Sequence, residues 1–171
     1  MLGLLGDAVT LACGALPSEA ASAGRARALV RSALTGCGDL AGFDALAGGG
    51  LAGLGNLAGL GDLAGLAPDA EVVMGELAAN AIIHGLPEPF VATVAVRATG
   101  QVLIVVEDRS PSPPVIRELP DDHGRGLRLV DAVCAQWGWA PLAGRTGKQV
   151  FGLLGEGACP VGGGAPAQRP H

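Results

Sequence analysis

The sequence predicts an α+β fold, a two-layer α/β sandwich in which helices cover one face of a mixed, mostly antiparallel sheet. Segments with apolar residues at helical spacing alternate with short runs rich in valine, isoleucine and leucine, which are typical of strands. Two pairs of these runs are joined by turns that contain glycine, which indicates hairpins. The chain has 171 residues, of which 49% are hydrophobic, and this is enough for one domain with its own core.

The first elements are a strand, a helix and a segment of low complexity. Residues 9–12 suit a short strand, and Ser18, which follows a proline, is a capping residue for a helix over residues 18–34. Between about residues 40 and 66, Leu-Ala-Gly recurs five times with a period near six. Such a period could build a parallel β-helix, but so few imperfect units bury little core, and we expect a flexible insertion.

Regular elements resume after the insertion. Asp69 can cap a second helix that runs to about His84, where Gly85 and a nearby proline end it. Residues 91–98 and 101–107 are rich in β-branched side chains and meet at a Thr-Gly pair. They therefore predict a hairpin that directly follows the second helix.

The last part of the chain predicts a loop, a third helix and a second hairpin. Several prolines lie between residues 110 and 123, so this segment is expected to be a long exposed loop. Residues 124–138 place apolar side chains at helical spacing and end in glycine. "WAPLAGRTGKQVFGLL" then predicts a final hairpin with its turn at residues 145–147. Residues 158–171 are expected to be a disordered tail.

Charge and cysteine content exclude several classes of protein. The net charge is -5 and the eleven Lys and Arg residues are scattered, so the chain lacks the basic stripe that direct nucleic-acid binding needs. The four cysteines are far apart and form no CxxC pair, which argues against a zinc site or a disulfide framework and favours the cytoplasm. The first residues lack the basic segment of a secretory signal, and glycines or charges interrupt every long apolar run. We therefore expect mature protein without a membrane span.

The second helix carries a polar stripe on an otherwise apolar segment. In "ELAANAIIHG", the residues Glu76, Asn80 and His84 follow one another at intervals of four, which places them on one helical face. Buried carboxylates and amides are costly unless a partner satisfies them. His84 alone is explained as well by capping the end of the helix as by contacting a ligand.

Together with later residues, the stripe predicts a nucleotide site. Gly124 and Gly126 at the start of a helix can present backbone N–H groups to a phosphate. Asn80 can complete the oxygen shell of Mg²⁺ shared with phosphates and water, and Glu76 can deprotonate an attacking hydroxyl. A buried Asp108 can accept a hydrogen bond from the amino group of adenine. Taken singly, Asp108 could instead be a turn residue, and the glycines could only relax the helix start.

Four ordered motifs resemble a known family. "ELAANAIIHG", "VEDRSPSPP", "DDHGRGLRLVDAVCAQWGW" and "GKQVFGLL" are similar in order and spacing to the ATP-binding domain of the GHKL superfamily, and closely to its anti-sigma-factor serine/threonine kinase branch of actinobacterial type. The resemblance covers roughly residues 5–155 apart from the insertion. It implies a Bergerat fold, also called the histidine-kinase-like ATPase fold, over residues 1–157.

The resemblance also implies a role for individual residues. Glu76 would be the catalytic base, Asn80 the Mg²⁺ ligand and Asp108 the residue that recognises adenine. Gly124 and Gly126 would form the hinge and the phosphate cradle. The other positions that match nucleotide-binding positions of the family are His84, Ser110, Arg125, Leu127 and Lys148. The loop from Ser110 to His123 would be the lid over the nucleotide.

Two positions depart from the general pattern of the superfamily. Where many members have Asp-x-Gly, this chain has Asp108-Arg109-Ser110, and the Asp-x-Ser form points to the anti-sigma branch. The threonine that assists adenine recognition in the final hairpin is replaced by Lys148. Adenine selection is therefore expected to rest more heavily on Asp108.

The resemblance implies an ATP-dependent regulator of transcription. The chain would bind a sigma factor and use Mg-ATP to phosphorylate a Ser or Thr of an anti-sigma-factor antagonist of the STAS type, and it would self-associate as a homodimer. The alternative is a non-catalytic ATP-binding regulator whose nucleotide sets the lid and the partner surface, or a weak ATPase. Retention of Glu76 favours the kinase.

Overall fold

Five strands and three helices make up the part of the chain that the structure, a computed structural model, describes: residues 8–36, 62–114 and 126–155. In chain order they are β1 (Val9–Leu16), α1 (Ala20–Thr35), α2 (Ala67–His84), β2 (Phe90–Val96), β3 (Val102–Asp108), α3 (Gly126–Val133), β4 (Gln136–Pro141) and β5 (Lys148–Leu154). The strands form one sheet in the order β1-β2-β3-β5-β4. The predicted α+β sandwich is confirmed, although the described sheet is antiparallel throughout instead of mixed.

The three described helices lie on one face of this sheet, as predicted. The main core joins buried side chains of α1 and α2 to those of β2, β3 and β5, and examples are Leu29, Val30, Met74, Leu77, Ile104 and Val150. Outside this core, the Arg31 guanidinium binds the Glu71 carboxylate and ties α1 to α2, with 2.9 Å between Arg31 Nε and Glu71 Oε1. None of the described helices is long and apolar enough to cross a membrane.

Alternation along β3 decides which way its last two side chains point. Ile104 and Val106 face the helices and belong to the main core. Leu103 and Val105 face the other way and form a second buried cluster with residues of β2 and β5. Because successive side chains of a strand point to opposite faces, Glu107 continues the outer row and Asp108 continues the helix-facing row.

The first strand and helix differ from the prediction by a few residues. β1 continues to Leu16, four residues beyond the predicted end at residue 12. Helix α1 begins at Ala20 instead of Ser18, and Glu19 is its N-cap. The side chain of Glu19 makes no capping hydrogen bond, so the capping signal around Ser18 marks the helix start without supplying its cap.

The second helix begins before its predicted cap. Helix α2 starts at Ala67, Pro68 occupies its first turn, and Asp69 is an acidic residue of that turn. The end of the predicted insertion also belongs to the folded domain, since Leu63 is buried in the main core. Residues 40–61 of the insertion lie outside the described residues.

The predicted third helix is too long. Helix α3 ends at Val133, and the backbone N–H of Ala135 donates to the carbonyl of Leu153 at 2.9 Å. The chain has thus joined the sheet, and β4 covers residues that the helical prediction had included up to Gly138. The indole N–H of Trp137 donates to Asp131 at 2.8 Å and fixes the strand against the helix it follows.

The final hairpin is confirmed with a wider turn. β4 and β5 pair antiparallel, and residues 142–147 connect them instead of residues 145–147 alone. The backbone N–H of Leu142 donates to the carbonyl of Gly147 at 3.0 Å and closes this connection. The predicted tail over residues 158–171 and the loop residues 115–123 lie outside the described residues.

Candidate functional site

The Glu76 side chain of α2 lies against the first residue of α3. A Cβ atom added to Gly126 would come within 2.5 Å of Glu76 Oε2 and 3.4 Å of its carboxylate carbon. Any larger residue at this place would require the Glu76 carboxylate to move. The negative charge therefore stands at the positive end of the α3 dipole, beside backbone N–H groups that have no partner within the helix.

Asn80 lies one turn further along α2 and is partly buried. Its side-chain nitrogen Nδ2 is buried and has no hydrogen-bond partner among the described residues. A buried donor without an acceptor costs about 1–3 kcal/mol, so such a group is normally satisfied by a ligand or by water. Because the two ends of an amide are interchangeable by rotation, the oxygen can equally face a cation. The residue present therefore fits the predicted Mg²⁺ ligand.

His84 is the last residue of α2 and is exposed to solvent. The polar stripe thus changes along its length, with Glu76 and Asn80 partly buried and His84 outside. Both explanations of His84, the end of the helix and a contact to phosphates, fit this position. Its role stays a prediction.

Asp108, Ser110 and Lys148 form a buried polar cluster, and the strand positions of Asp108 and Lys148 face the helices. Asp108 and Lys148 are direct partners across β3 and β5, and Lys148 Nζ donates to Asp108 Oδ1 at 2.9 Å. The backbone N–H of Ser110 donates to the same oxygen at 2.8 Å. Lys148 Nζ also approaches the carbonyl oxygen of Ser110 at 3.4 Å. The relative exposure of the three residues is only 5–6%.

This cluster supports both explanations of Asp108. The bond from Ser110 to the carboxylate two residues earlier is the local turn that the simpler explanation predicted. Both described contacts nevertheless go to Oδ1, which leaves Oδ2 able to accept a hydrogen bond from a ligand. The sequence had placed Lys148 in the site but had not predicted that it binds Asp108.

A glycine makes the approach of β5 to Asp108 feasible. Gly147 has φ +130, and a Cβ there would lie 2.2 Å from the backbone oxygen of Asp108. Arg145 belongs to the connection between β4 and β5, and its guanidinium binds the buried carboxylate of Glu107 on the face of the sheet opposite the helices. Arg145 of the connection and Lys148 at the start of β5 thus supply the neighbouring carboxylates Glu107 and Asp108 with one cation each.

No described contact brings several of the predicted site residues to Glu76 and Asn80 or to the polar cluster of Asp108 and Lys148. Gly124 and Arg125 lie outside the described residues, and so does His123 at the end of the predicted lid. The Leu127 side chain is buried in the main core, so only its backbone N–H in the first turn of α3 is left for a ligand. The roles of these residues stay predictions.

The half-buried thiol of Cys134, directly after α3, is not a candidate nucleophile. Burial, together with the negative charges of Asp131 and Asp69, raises the pKa of Cys134 to about 12. The thiol therefore stays protonated at neutral pH and acts as a packing group. Among the described residues, no group of three or more His, Cys, Asp or Glu side chains could hold a metal ion.

Comparison with models of known protein families finds none that matches the chain. Comparison with curated proteins finds no match either. The family resemblance of the four motifs, and the roles it implies, therefore stay predictions carried by the residues themselves.

Proposed function

We propose that the chain binds Mg-ATP and transfers its γ-phosphoryl group to a Ser or Thr of an antagonist protein, as a cytoplasmic regulator of a sigma factor. The observation that carries the proposal is the contact of the Glu76 carboxylate with the start of α3, one helical turn from the unsatisfied amide of Asn80. A base, a cation ligand and a helix N-terminus are the groups that phosphoryl transfer needs side by side.

Each group has a defined task in this reaction. Asn80 would hold Mg²⁺, which when bound neutralises charge on the phosphates. Glu76 accepts the proton of the Ser or Thr hydroxyl while the oxygen of that hydroxyl forms a bond to the γ-phosphorus. The bond from that phosphorus to the β,γ-bridging oxygen breaks, and ADP leaves with the electron pair. Asp108 Oδ2 accepts a hydrogen bond from the amino group of adenine.

The contact between Glu76 and Gly126 also favours a second candidate function. The carboxylate supports the start of α3 whether or not it removes a proton. It would keep this role in a non-catalytic regulator that binds ATP only to set its partner surface. The two functions differ in one respect, which is whether the charge of Glu76 is needed after ATP has bound.

The experiment measures Mg-ATP binding by thermal shift and label transfer from γ-labelled ATP to purified antagonist proteins of the STAS type. We expect Glu76→Gln, which keeps the size of the side chain, to bind Mg-ATP and to transfer no label. Asn80→Ala should lose the Mg²⁺-dependent part of the binding. Leu129→Ala, on an exposed part of α3, is the matched control for general damage.

Two results would decide against the kinase. ATP binding without transfer by the unaltered protein supports the non-catalytic regulator. The absence of any Mg-ATP thermal shift refutes both functions.

A further inference from the structure

The face of the sheet opposite the helices is apolar and buried, although no described helix lies on it. We propose that residues 1–7, which come shortly before β1, dock on this outer face and cover it. The side chains concerned are called the outer cluster below, and they are Ala95 of β2, Leu103 and Val105 of β3, and Phe151 and Leu153 of β5. The proposal does not depend on the nucleotide binding proposed above.

The outer cluster has less contact with water than an uncovered sheet face allows. Its members have relative exposures of 0 to 7%. An antiparallel sheet face that is open to water keeps its side chains solvated, and those side chains are usually polar. The described helices supply no cover, because they pack against the opposite rows of the strands. The large apolar side chains of the outer cluster therefore need another apolar surface against them.

The chain itself reaches the outer face at Ala8. This is the first described residue, and its partly buried side chain packs against the outer cluster. Ala8 comes immediately before β1, the edge strand that lies beside β2. The segment that leads into β1 therefore approaches β1 from the side of the outer face, and its direct continuation is residues 1–7.

Residues 1–7 have the composition and the length of such a cover. Their sequence is MLGLLGD, with four large apolar side chains and one charged side chain. An extended segment advances about 3.3 Å per residue, so residues 1–7 span roughly 23 Å. Neighbouring strands are about 4.8 Å apart, so the path from β1 across β2 and β3 to β5 is about 14 Å. The segment is long enough to cross the whole outer cluster.

Other parts of the chain outside the described residues fit this face less well. Residues 37–61 connect Leu34 to Leu63, which both belong to the helix-facing core. Residues 115–125 carry five charged side chains, and residues 156–171 have Val161 as their one large aliphatic side chain. A second copy of the chain is the remaining competitor, and the test below separates it from residues 1–7.

The outer face continues into two buried hydrogen-bond acceptors. Glu107 and Gln149 are direct partners across β3 and β5, next to the outer cluster. The Oε1 atom of each is buried and has no hydrogen-bond partner among the described residues. A covering polypeptide carries backbone N–H groups that can donate to such oxygens, whereas a lipid tail carries none. This end of the face therefore favours a chain segment as the cover.

The test places a photoreactive side chain in the proposed cover. The full chain with Leu4→p-benzoylphenylalanine is irradiated, and the cross-linked peptides are identified by mass spectrometry. We expect a cross-link within one chain to a peptide that contains a member of the outer cluster, with a yield that stays constant over about a tenfold range of protein concentration. The matched control is Leu129→p-benzoylphenylalanine on the exposed surface of α3, which should give no such cross-link.

Three results would overturn the proposal. A cross-link between two chains, with a yield that rises with concentration, would make a second copy the cover. A cross-link to the outer cluster from Leu57→p-benzoylphenylalanine, and not from position 4, would assign the cover to the insertion. The absence of any cross-link from position 4 to the outer cluster would also refute it.

A second measurement needs no photoreactive group. Leu4→Asp combined with Leu5→Asp in the full chain should raise the fluorescence of the dye ANS several-fold, because carboxylates oppose docking and the outer cluster becomes exposed. A cooperative urea transition shows that the domain is still folded. Leu57→Asp is the matched control and should leave the fluorescence unchanged. If the double variant binds no more dye than the unaltered chain, the proposal is refuted, and if it does not fold, the cross-link decides.

Discussion

Glu107 and Asp108 are neighbours at the end of β3, yet they bind their cations on opposite faces of the sheet. Both carboxylates are buried, with relative exposures of 4% and 6%. Their partners differ, because the Arg145 side chain is 46% exposed whereas that of Lys148 is 6% exposed. In the outer pair, Glu107 with Arg145, the cation remains partly in contact with water. In the inner pair, Asp108 with Lys148, both partners are buried.

This difference separates a structural pair from a candidate binding pair. The outer cation can remain hydrated while it neutralises a buried carboxylate, an arrangement with a modest desolvation cost. The inner cation has exchanged water for two oxygens, at 2.9 and 3.4 Å. Its loss is expected to be costly, because it would leave the buried Asp108 carboxylate without a cation.

The largest expected effect comes from breaking the inner pair. We expect Lys148→Met to lower the free energy of unfolding by about 3–5 kcal/mol, because it leaves Asp108 as an uncompensated buried charge. Urea denaturation followed by circular dichroism measures it. The double variant Lys148→Met with Asp108→Asn should regain part of the loss. A loss below about 1 kcal/mol would mean that water already reaches the inner pair.

The glycine that brings β5 to Asp108 is the next test. We expect Gly147→Ala to cost about 2–4 kcal/mol, since the methyl group would meet the backbone oxygen of Asp108 and the positive φ disfavours alanine. Gly144→Ala is the matched control, because Gly144 also has a positive φ but nothing lies within 4 Å of an added Cβ. It should cost only about 1–2 kcal/mol. Equal losses for the two variants in urea denaturation would contradict the close approach at Gly147.

Breaking the outer pair should have a smaller effect. We expect Arg145→Met to cost about 1–3 kcal/mol, less than Lys148→Met, because removal of a half-exposed side chain admits water to Glu107. Thermal and urea unfolding of the two variants measure the difference. If Arg145→Met loses as much stability as Lys148→Met, then the exposure of the cation does not distinguish the two pairs.

Salt should produce the smallest difference between the pairs. Raising NaCl from about 0.1 M to about 1 M shortens the Debye length from about 10 Å to about 3 Å. The stability lost in Arg145→Met should therefore shrink by a few tenths of a kcal/mol, and the loss in Lys148→Met should stay constant. Urea denaturation of the unaltered chain and both variants at the two salt concentrations measures this. A salt-dependent loss in Lys148→Met would show that its pair is hydrated.

Local features of the sequence predicted much of the fold. The hairpin of β2 and β3 follows from two adjacent runs and a short turn, and the end of α2 follows from Gly85. The stripe of Glu76, Asn80 and His84 depends only on helical spacing. Each of these predictions uses contacts between residues that are close in the chain.

Contacts between distant residues could not be predicted in the same way. Asp108 and Lys148 are 40 positions apart, and their pairing depends on β5 lying next to β3 in a register that no local pattern encodes. The end of α3 was wrong for a similar reason, because the hydrogen bond from Ala135 to Leu153 of β5 competes with further helix. The contact of Glu76 with Gly126 could not be predicted either, because it depends on how α2 and α3 pack against each other.

The contact of Glu76 with Gly126 has a mechanical consequence. Because the carboxylate touches the first residue of α3, a ligand that displaces this helix start must carry Glu76 with it or break the contact. A shift of α2 by one residue would turn the carboxylate about 100° away from α3. While the contact holds, a movement of the helix start therefore also moves the carboxylate of Glu76.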